Sequence, residues 1–540
     1  MWSQPIAPVG GLLASSLVGA IPLLVVLVLM GGLRKSGLFS SLCGLGTSVL
    51  LAIFVWGMPA HMAAGSIGFG AVYGLWPIMW IVFTALWLYN ITVETGKFEL
   101  LRSWLEQQVS TDPCVQVVLI AFCFGALLEG TTGFGAPVAI VSFLLVGLGY
   151  EAHRAVKVSL IANTAPVAFG SLGTPIIALA GVTGLDLSKL SAMEGRQLPI
   201  LSFILPTYLI FVTAGAKGYK RAWPVALVAG ASFGAVQFFV SNYYGPYTAD
   251  VLAALAAIAA TVAFMHVWEP QAEIGAAGAP PGASESFKKD LARKISAGDT
   301  VMAWLPWVLL SAVVIAWSFL SMAVKGQQAI KIPGLHNQIW ITLYQRPYAA
   351  IYTWQPLAPG TAVLLAMILV SICLFASPGV IAKCGLKTLK QVRIPVATTA
   401  TIVGMAYLYN YSGMAYTLGA AVAQTGHFFP VLSSYLGWVA CFLSGSDTSS
   451  NVLFGNLQVV AAHQLHLNPI LFAATNSSGA VTGKMISPQN IAVGVTTVGL
   501  IAQEGKILRS TVWHSIIMAA MISAMCVIQA YWLTGMVPQP

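Results

Sequence analysis

Long apolar runs alternate with short polar breaks along nearly the whole chain. Runs near 11–31, 38–56, 70–91, 197–215, 223–241, 250–268, 301–322, 358–376, 394–412 and 511–533 each approach the roughly 20 residues that a helical membrane span requires. Two longer zones, 113–183 and 429–500, are as apolar but are interrupted by Gly, Pro, Ser, Thr and Asn. The pattern predicts an all-α polytopic membrane protein. If each interrupted zone holds one re-entrant hairpin and one broken span, there are about twelve transmembrane helices plus two hairpins, and both termini lie outside. The one long polar stretch, 269–300, is rich in Pro, Gly, Ala and Ser. It reads as a cytoplasmic linker between an N-terminal half, 1–268, and a C-terminal half, 301–540. The expected interior elements are a hairpin at 113–150 with a broken helix at 158–182, then a hairpin at 429–466 with a broken helix at 468–500. Between 92 and 110, Phe98, Leu101, Trp104 and Leu105 share one face, the spacing of an interfacial helix.

Composition agrees. Of 540 residues, 58% are hydrophobic and 8% charged, against about 25% charged in soluble proteins. So few charges cannot cover the surface of soluble domains. The net charge of +9 is then a matter of topology rather than of nucleic-acid binding. On the twelve-span scheme, 19 of the 25 Lys and Arg fall on inside loops. Lys189, Arg196, Lys325, Lys331 and Arg346 fall outside, and Lys484 lies within an apolar zone. This is the positive-inside asymmetry, and shifting the parity at either interrupted zone destroys it. The N-terminal ten residues carry no basic stretch, so no cleaved leader is expected. The seven cysteines are scattered, with no Cys-x-x-Cys and no Cys/His cluster; no disulfide, metal or cofactor is expected.

The halves echo each other. Leu88-Tyr89-Asn90 recurs as Leu408-Tyr409-Asn410, Glu129-Gly130-Thr131-Thr132 aligns with Ser444-Gly445-Ser446-Asp447, and Asn163-Thr164 with Thr174-Pro175 aligns with Asn476-Ser477 and Ser487-Pro488. The offsets are 320, 315 and 313, in preserved order. The span ending at Asn90 runs inward and the one ending at Asn410 runs outward, so the repeats are inverted, a secondary-transporter design.

The interruptions carry the candidate chemistry. Non-helical backbone cannot face lipid, because its N–H and C=O groups would lack partners. The stretches 127–140 and 442–455 must therefore be buried in protein or line a wet cavity. Gly133 and Gly135 allow a tight turn at the first tip. The half-helix after each tip presents free N–H groups and the positive end of a dipole, an anion-binding device. Ser446, Thr448, Ser449 and Asn451 add donors at the second tip, and Asn163 and Asn476 lie on the opposing broken helices. Tyr409 and Asn410 can hydrogen-bond a substrate hydroxyl or simply pack. Three ionisable groups fall at membrane depth, Glu129, Asp447 and Lys484, and such groups are functional candidates. Lys484 suits a substrate carboxylate; it also suits an internal salt bridge to Glu129 or Asp447. Glu129 and Asp447 suit proton carriage, because a buried carboxyl is held more cheaply neutral than charged. They also suit helix capping at the tips.

These segments resemble the bacterial lactate permease family. The resemblance runs along nearly the whole chain through YGLWPIMW (73–80), FCFGALLEGTTGFGAPVAI (122–140), NTAPVAFGSLGTPI (163–176), GRQLP (195–199), NYSGM (410–414), LGW…SGSDTSSNVLFGNLQ (436–458) and VTGKMISPQNIAVG (481–494). It implies a carrier of L-lactate, D-lactate and glycolate by proton symport in a bacterial inner membrane. Glu129, Asp447 and Lys484 lie within the shared motifs. By analogy the fold is similar to ion-transporter-superfamily carriers, with a possible elevator domain. The resemblance departs at Asn90 and Glu94, where the family tends to carry basic residues, so no charge role is assigned there. Sodium-coupled carboxylate transport is the alternative, since Asn, Ser, Thr and exposed carbonyls suit sodium as well. A membrane enzyme is disfavoured: there is no His-Glu-x-x-His, and Asp447 is the only aspartate expected at depth. Oligomeric state is open.

Overall fold

The computed structural model describes residues 1–108, 112–133, 135–268, 295–500 and 503–540. Most of the linker expected at 269–300 lies outside the described residues; its end, from Ala297, already belongs to helix Ala297–Phe319, which Ser296 and Asp299 cap. Among the described residues, eight helical segments are long and apolar enough to cross a membrane, with five shorter apolar helices beside them. Helix Leu12–Leu27 shows why water is the wrong solvent. Leu13, Leu17, Leu24 and Val28 are more than half exposed and recur at helical spacing, a stripe that only lipid covers well. Helix Pro113–Thr131 is the opposite case, buried on every side by protein.

Two 35-residue helical segments, Ala60–Glu94 and Pro378–Ser412, pack antiparallel along their length. Gly70 lies against Val403 and Gly404, and Gly74 against Thr399 and Ala400. At the other end the Asn90 amide donates to Thr388 at 2.9 Å and Gln391 at 2.7 Å. Lys383 pairs with Glu94 there. Asn90 and Glu94 thus serve this helix junction. Segment Leu198–Tyr243 is 46 residues long, but the backbone leaves helical geometry at Gly215 (φ 65, ψ −163). The chain folds back on itself there: Ser202 donates to Gln237 at 2.8 Å. The runs expected at 197–215 and 223–241 are therefore an antiparallel pair joined by a tight turn.

Both interrupted zones fold as helix–turn–helix followed by a broken helix. The first has Pro113–Thr131 and Ala136–Gly147, then Ala152–Ala162 and Gly170–Thr183. The second has Phe429–Ser444 and Asp447–Gln464, then Pro469–Lys484 and Pro488–Thr497. The amphipathic segment forms helix Lys97–Gln108, with Phe98, Leu101 and Leu105 buried and Trp104 edge-on to Trp304 at 5.1 Å.

The all-α expectation needs one correction. Gln328–Lys331 pairs antiparallel with Ile351–Trp354, and Trp2–Ser3 pairs with Ile339–Trp340. The strands are two to four residues long, too short for a period-two pattern to register in sequence.

Candidate functional site

The two turns and the two broken helices converge. At the first tip Gly133 is left-handed (φ +57), and a Cβ there would lie 2.0 Å from the Ser171 hydroxyl. Only glycine satisfies both conditions. Ser171 donates to the Thr132 carbonyl at 3.1 Å, tying the tip to the first broken helix. In that helix the backbone at Ser171, Leu172 and Gly173 is left-handed, an unusual state for Ser and Leu that surrounding structure must hold. At the second tip Gly445 is left-handed, and the Ser446 side chain caps helix Asp447–Gln464 by accepting from the Ser449 N–H.

Lys484 ends helix Pro469–Lys484, where the negative end of the helix dipole favours a cation. Its Nζ donates to Oε1 of Glu129 at 2.7 Å. The side chains are 8% and 4% exposed. The other oxygen of Glu129 accepts from the Asn163 amide at 2.9 Å. Glu129 is thus held by a cation and an amide, and it caps no helix. Asp447 caps none either, because Ser446 takes that role; its Oδ2 accepts from the Ser477 hydroxyl at 2.9 Å.

A cavity of about 310 Å³ is lined by Glu129, Asp447 and Lys484 together. Gly135, Ser446, Thr448 and Ser449 of the tips line it as well, with Gly170, Ser171, Thr174, Pro175, Gln489 and Asn490 of the broken helices. The facing wall is Met30, Gly37, Ile394, Pro395, Thr398 and Thr399; in the chain Arg393 adjoins Ile394, and Arg34 and Lys35 lie between Met30 and Gly37. Gly133 and Asn163 stand one layer behind this lining. Asn451 and Asn476 do not reach it. Asn476 donates to Asn451 at 2.9 Å and accepts from Gln458 at 2.8 Å, and Asn451 donates to the Pro175 carbonyl at 3.2 Å. They brace the second hairpin against both broken helices. Tyr409 and Asn410 are elsewhere. Tyr409 donates to the Gly19 carbonyl, and Asn410 donates to the Val182 carbonyl at 2.8 Å and accepts from Asn456 at 2.8 Å. Asn410 lines a second cavity of about 460 Å³, beside Tyr344, Arg346, Tyr407, Tyr411 and His463.

Two buried carboxyls join the three ionisable groups expected at depth. Glu194 is 0% exposed and Asp250 is 1% exposed. Glu194 sits in a polar-looking stretch between spans and reads as a loop residue, but it ends helix Leu187–Glu194. The helical spacing of Leu187, Leu190 and Met193 before it, a face that Glu194 shares, was the available signal. Asp250 opens helix Ala249–Met265 and reads as a span end; its Oδ1 accepts from Gln237 at 2.8 Å. Among the described residues, no group of three or more His, Cys, Asp or Glu is arranged to hold a metal ion.

A profile of the L-lactate permease family matches residues 15–533. The chain belongs to the L-lactate permease family. It is 42% identical to the glycolate permease GlcA of Escherichia coli (strain K12) over 99% of each chain. It is 40% identical to the L-lactate permease of Bacillus subtilis (strain 168) over 99% of this chain and all of the relative. Against the L-lactate permease of Escherichia coli (strain K12) the identity is 37% over both full lengths. The family is one of membrane transporters rather than enzymes, and the run of apolar helices makes this member a multi-pass membrane protein. The YdaH transporter of Alcanivorax borkumensis shares 13% identity at a TM-score of 0.46, over 88% of this chain and 89% of that one, a level that carries no argument about function.

Proposed function

We propose that this protein imports L-lactate, and with it D-lactate and glycolate, together with a proton across a bacterial inner membrane. The observation that carries the reading is the Lys484–Glu129 pair lining the cavity where both tips meet. As found, that pair is internally neutral. A 2-hydroxy carboxylate that takes Lys484 leaves Glu129 an unpaired buried anion, which is costly. A proton arriving with the substrate and settling on Glu129 or Asp447 restores neutrality. Anion and proton are thereby coupled through one lysine. The half-helix beginning at Ser446 offers N–H donors to the carboxylate. Thr448, Ser449, Ser171 and Thr174 offer hydroxyls to the 2-hydroxyl.

The architecture proposed with this function is twelve spans and two re-entrant hairpins in inverted repeats, with both termini outside. The long antiparallel helices serve as a scaffold past which the hairpin units move. The equal length of the two 35-residue segments and their antiparallel packing support the symmetry.

Proteoliposomes with an alkaline interior, in sodium-free buffer, test the reading. L-lactate should accumulate, and a protonophore should abolish the accumulation. Glu129→Gln should bind lactate yet lose the response to the pH gradient. Accumulation that requires sodium and ignores the gradient would refute the proton reading.

A further inference from the structure

Ser477 stands between two carboxyls. Its Oγ is 2.9 Å from Oδ2 of Asp447 and 3.2 Å from Oε2 of Glu194. Ser477 and Glu194 are 0% exposed and Asp447 is 3% exposed. A hydroxyl has one proton and donates it to one oxygen at a time. The second contact is a hydrogen bond only if the other carboxyl is protonated and donates to Oγ. Two buried carboxylates bridged by a lone hydroxyl would otherwise repel with nothing to offset their desolvation. No salt bridge reaches either carboxyl among the described residues. The charged groups acting on Glu194 are Asp447 and Asp250. Those acting on Asp447 include Lys484 and Glu129, and Lys484 is engaged by Glu129. Arg196, two residues from Glu194, is tied to Asn242 and to the Met536 carbonyl. Among the described residues, Oε1 of Glu194 and Oδ1 of Asp447 are buried without a hydrogen-bond partner, so each carboxyl keeps a second oxygen to receive or release a proton.

We propose that Glu194, Ser477 and Asp447 form a proton relay that joins the cavity to a fully buried carboxyl behind its lining, at the end of helix Leu187–Glu194. In one step the Glu194 carboxyl gives its proton to Oγ of Ser477 while the Ser477 hydroxyl gives its own to the Asp447 carboxylate. The net result is one proton moved from Glu194 to Asp447. The relay is reset when Asp447 releases a proton from its other oxygen, Glu194 takes one up, and the Ser477 hydroxyl rotates back toward Asp447. Asp447 faces the cavity, and Glu194, which lines no part of it, acts through Ser477. The inference rests on proton-coupled transport as proposed above.

The test uses reconstituted full-length protein in sodium-free buffer with two readouts. One is pH-gradient-driven accumulation of labelled L-lactate. The other is lactate counterflow at equal pH, which needs substrate exchange but no net proton movement. Wild type must first show both; failure of gradient-driven accumulation in wild type overturns the proton-coupled reading itself and the relay with it. Glu194→Gln should then retain counterflow within about twofold and lose accumulation at least about tenfold, a free-energy difference of about 1.4 kcal/mol or more. Ser477→Ala should do the same, and it decides the matter if Glu194→Gln does not fold. Accumulation preserved in a folded variant overturns the relay. So does equal loss of counterflow and accumulation in a monodisperse variant, which marks a structural or substrate-holding role.

Discussion

At the scale of single residues, Lys484 and Glu129 have two separable roles. They stabilise each other as a buried pair, and they are proposed to handle substrate and proton. Removing one partner of such a pair leaves an uncompensated charge, typically costing about 3–5 kcal/mol, whereas replacing both is often neutral. Lys484→Ala should therefore abolish uptake and also lower the melting temperature of the detergent-solubilised protein. Lys484→Met combined with Glu129→Gln should recover most of that stability and still fail to transport. Thermal melts alongside uptake check this; a double variant that transports normally would remove both residues from the site. These residues were legible in the sequence because a charge inside an apolar run is conspicuous. Glu194 and Asp250 were not, because each borders polar residues at a span end, where a charge is unremarkable. In the repeat alignment Tyr409 and Asn410 stand opposite the hairpins, yet they line no part of the cavity with Lys484. Symmetry relates positions across the molecule, however, and a symmetry mate need not share a cavity.

At the scale of elements, helices Phe429–Ser444 and Pro469–Lys484 approach until backbone meets backbone. A Cβ on Gly479 would lie 2.1 Å from the Ser434 carbonyl oxygen, and one on Gly483 would lie 2.4 Å from that of Trp438. Small residues at this spacing are how membrane helices pack closely. The contact also sets the position of Lys484, which ends the second of these helices. Gly479→Val should push the helices apart, cutting uptake and monodispersity together. Gly505→Ala, with nothing within 4 Å among the described residues, should be silent in both. Fluorescence-detected size-exclusion chromatography reads the difference, and a well-behaved, active Gly479→Val protein would contradict the packing argument. Sequence located these helices by their Gly, Ser and Pro punctuation. It did not reveal which glycines were turns and which were contacts, since that depends on partners 45 residues away in the chain.

At the scale of the whole molecule, the two larger cavities lie on opposite sides of the first broken helix. Thr174 and Pro175 line the cavity with Lys484, and Gly181 to Leu185 line the one with Arg346. On the proposed orientation the first faces the inside and the second the outside, the arrangement expected of a carrier with one site reached alternately from each face. Under the proposed proton coupling, charge balance argues for one proton per lactate. One lactate entering with one proton leaves the net charge of the group set Lys484, Glu129, Asp447 and Glu194 unchanged, whereas a second proton would change the charge buried there. Transport should accordingly be electroneutral. Imposing an inside-negative potential with potassium and valinomycin should leave accumulation unchanged at a fixed pH gradient. A gradient of about one pH unit should support about tenfold accumulation at one proton per lactate, and about a hundredfold at two. Accumulation that rises with the imposed potential would mean that more than one positive charge travels with each lactate, and that Glu129 and Asp447 take up protons in the same cycle.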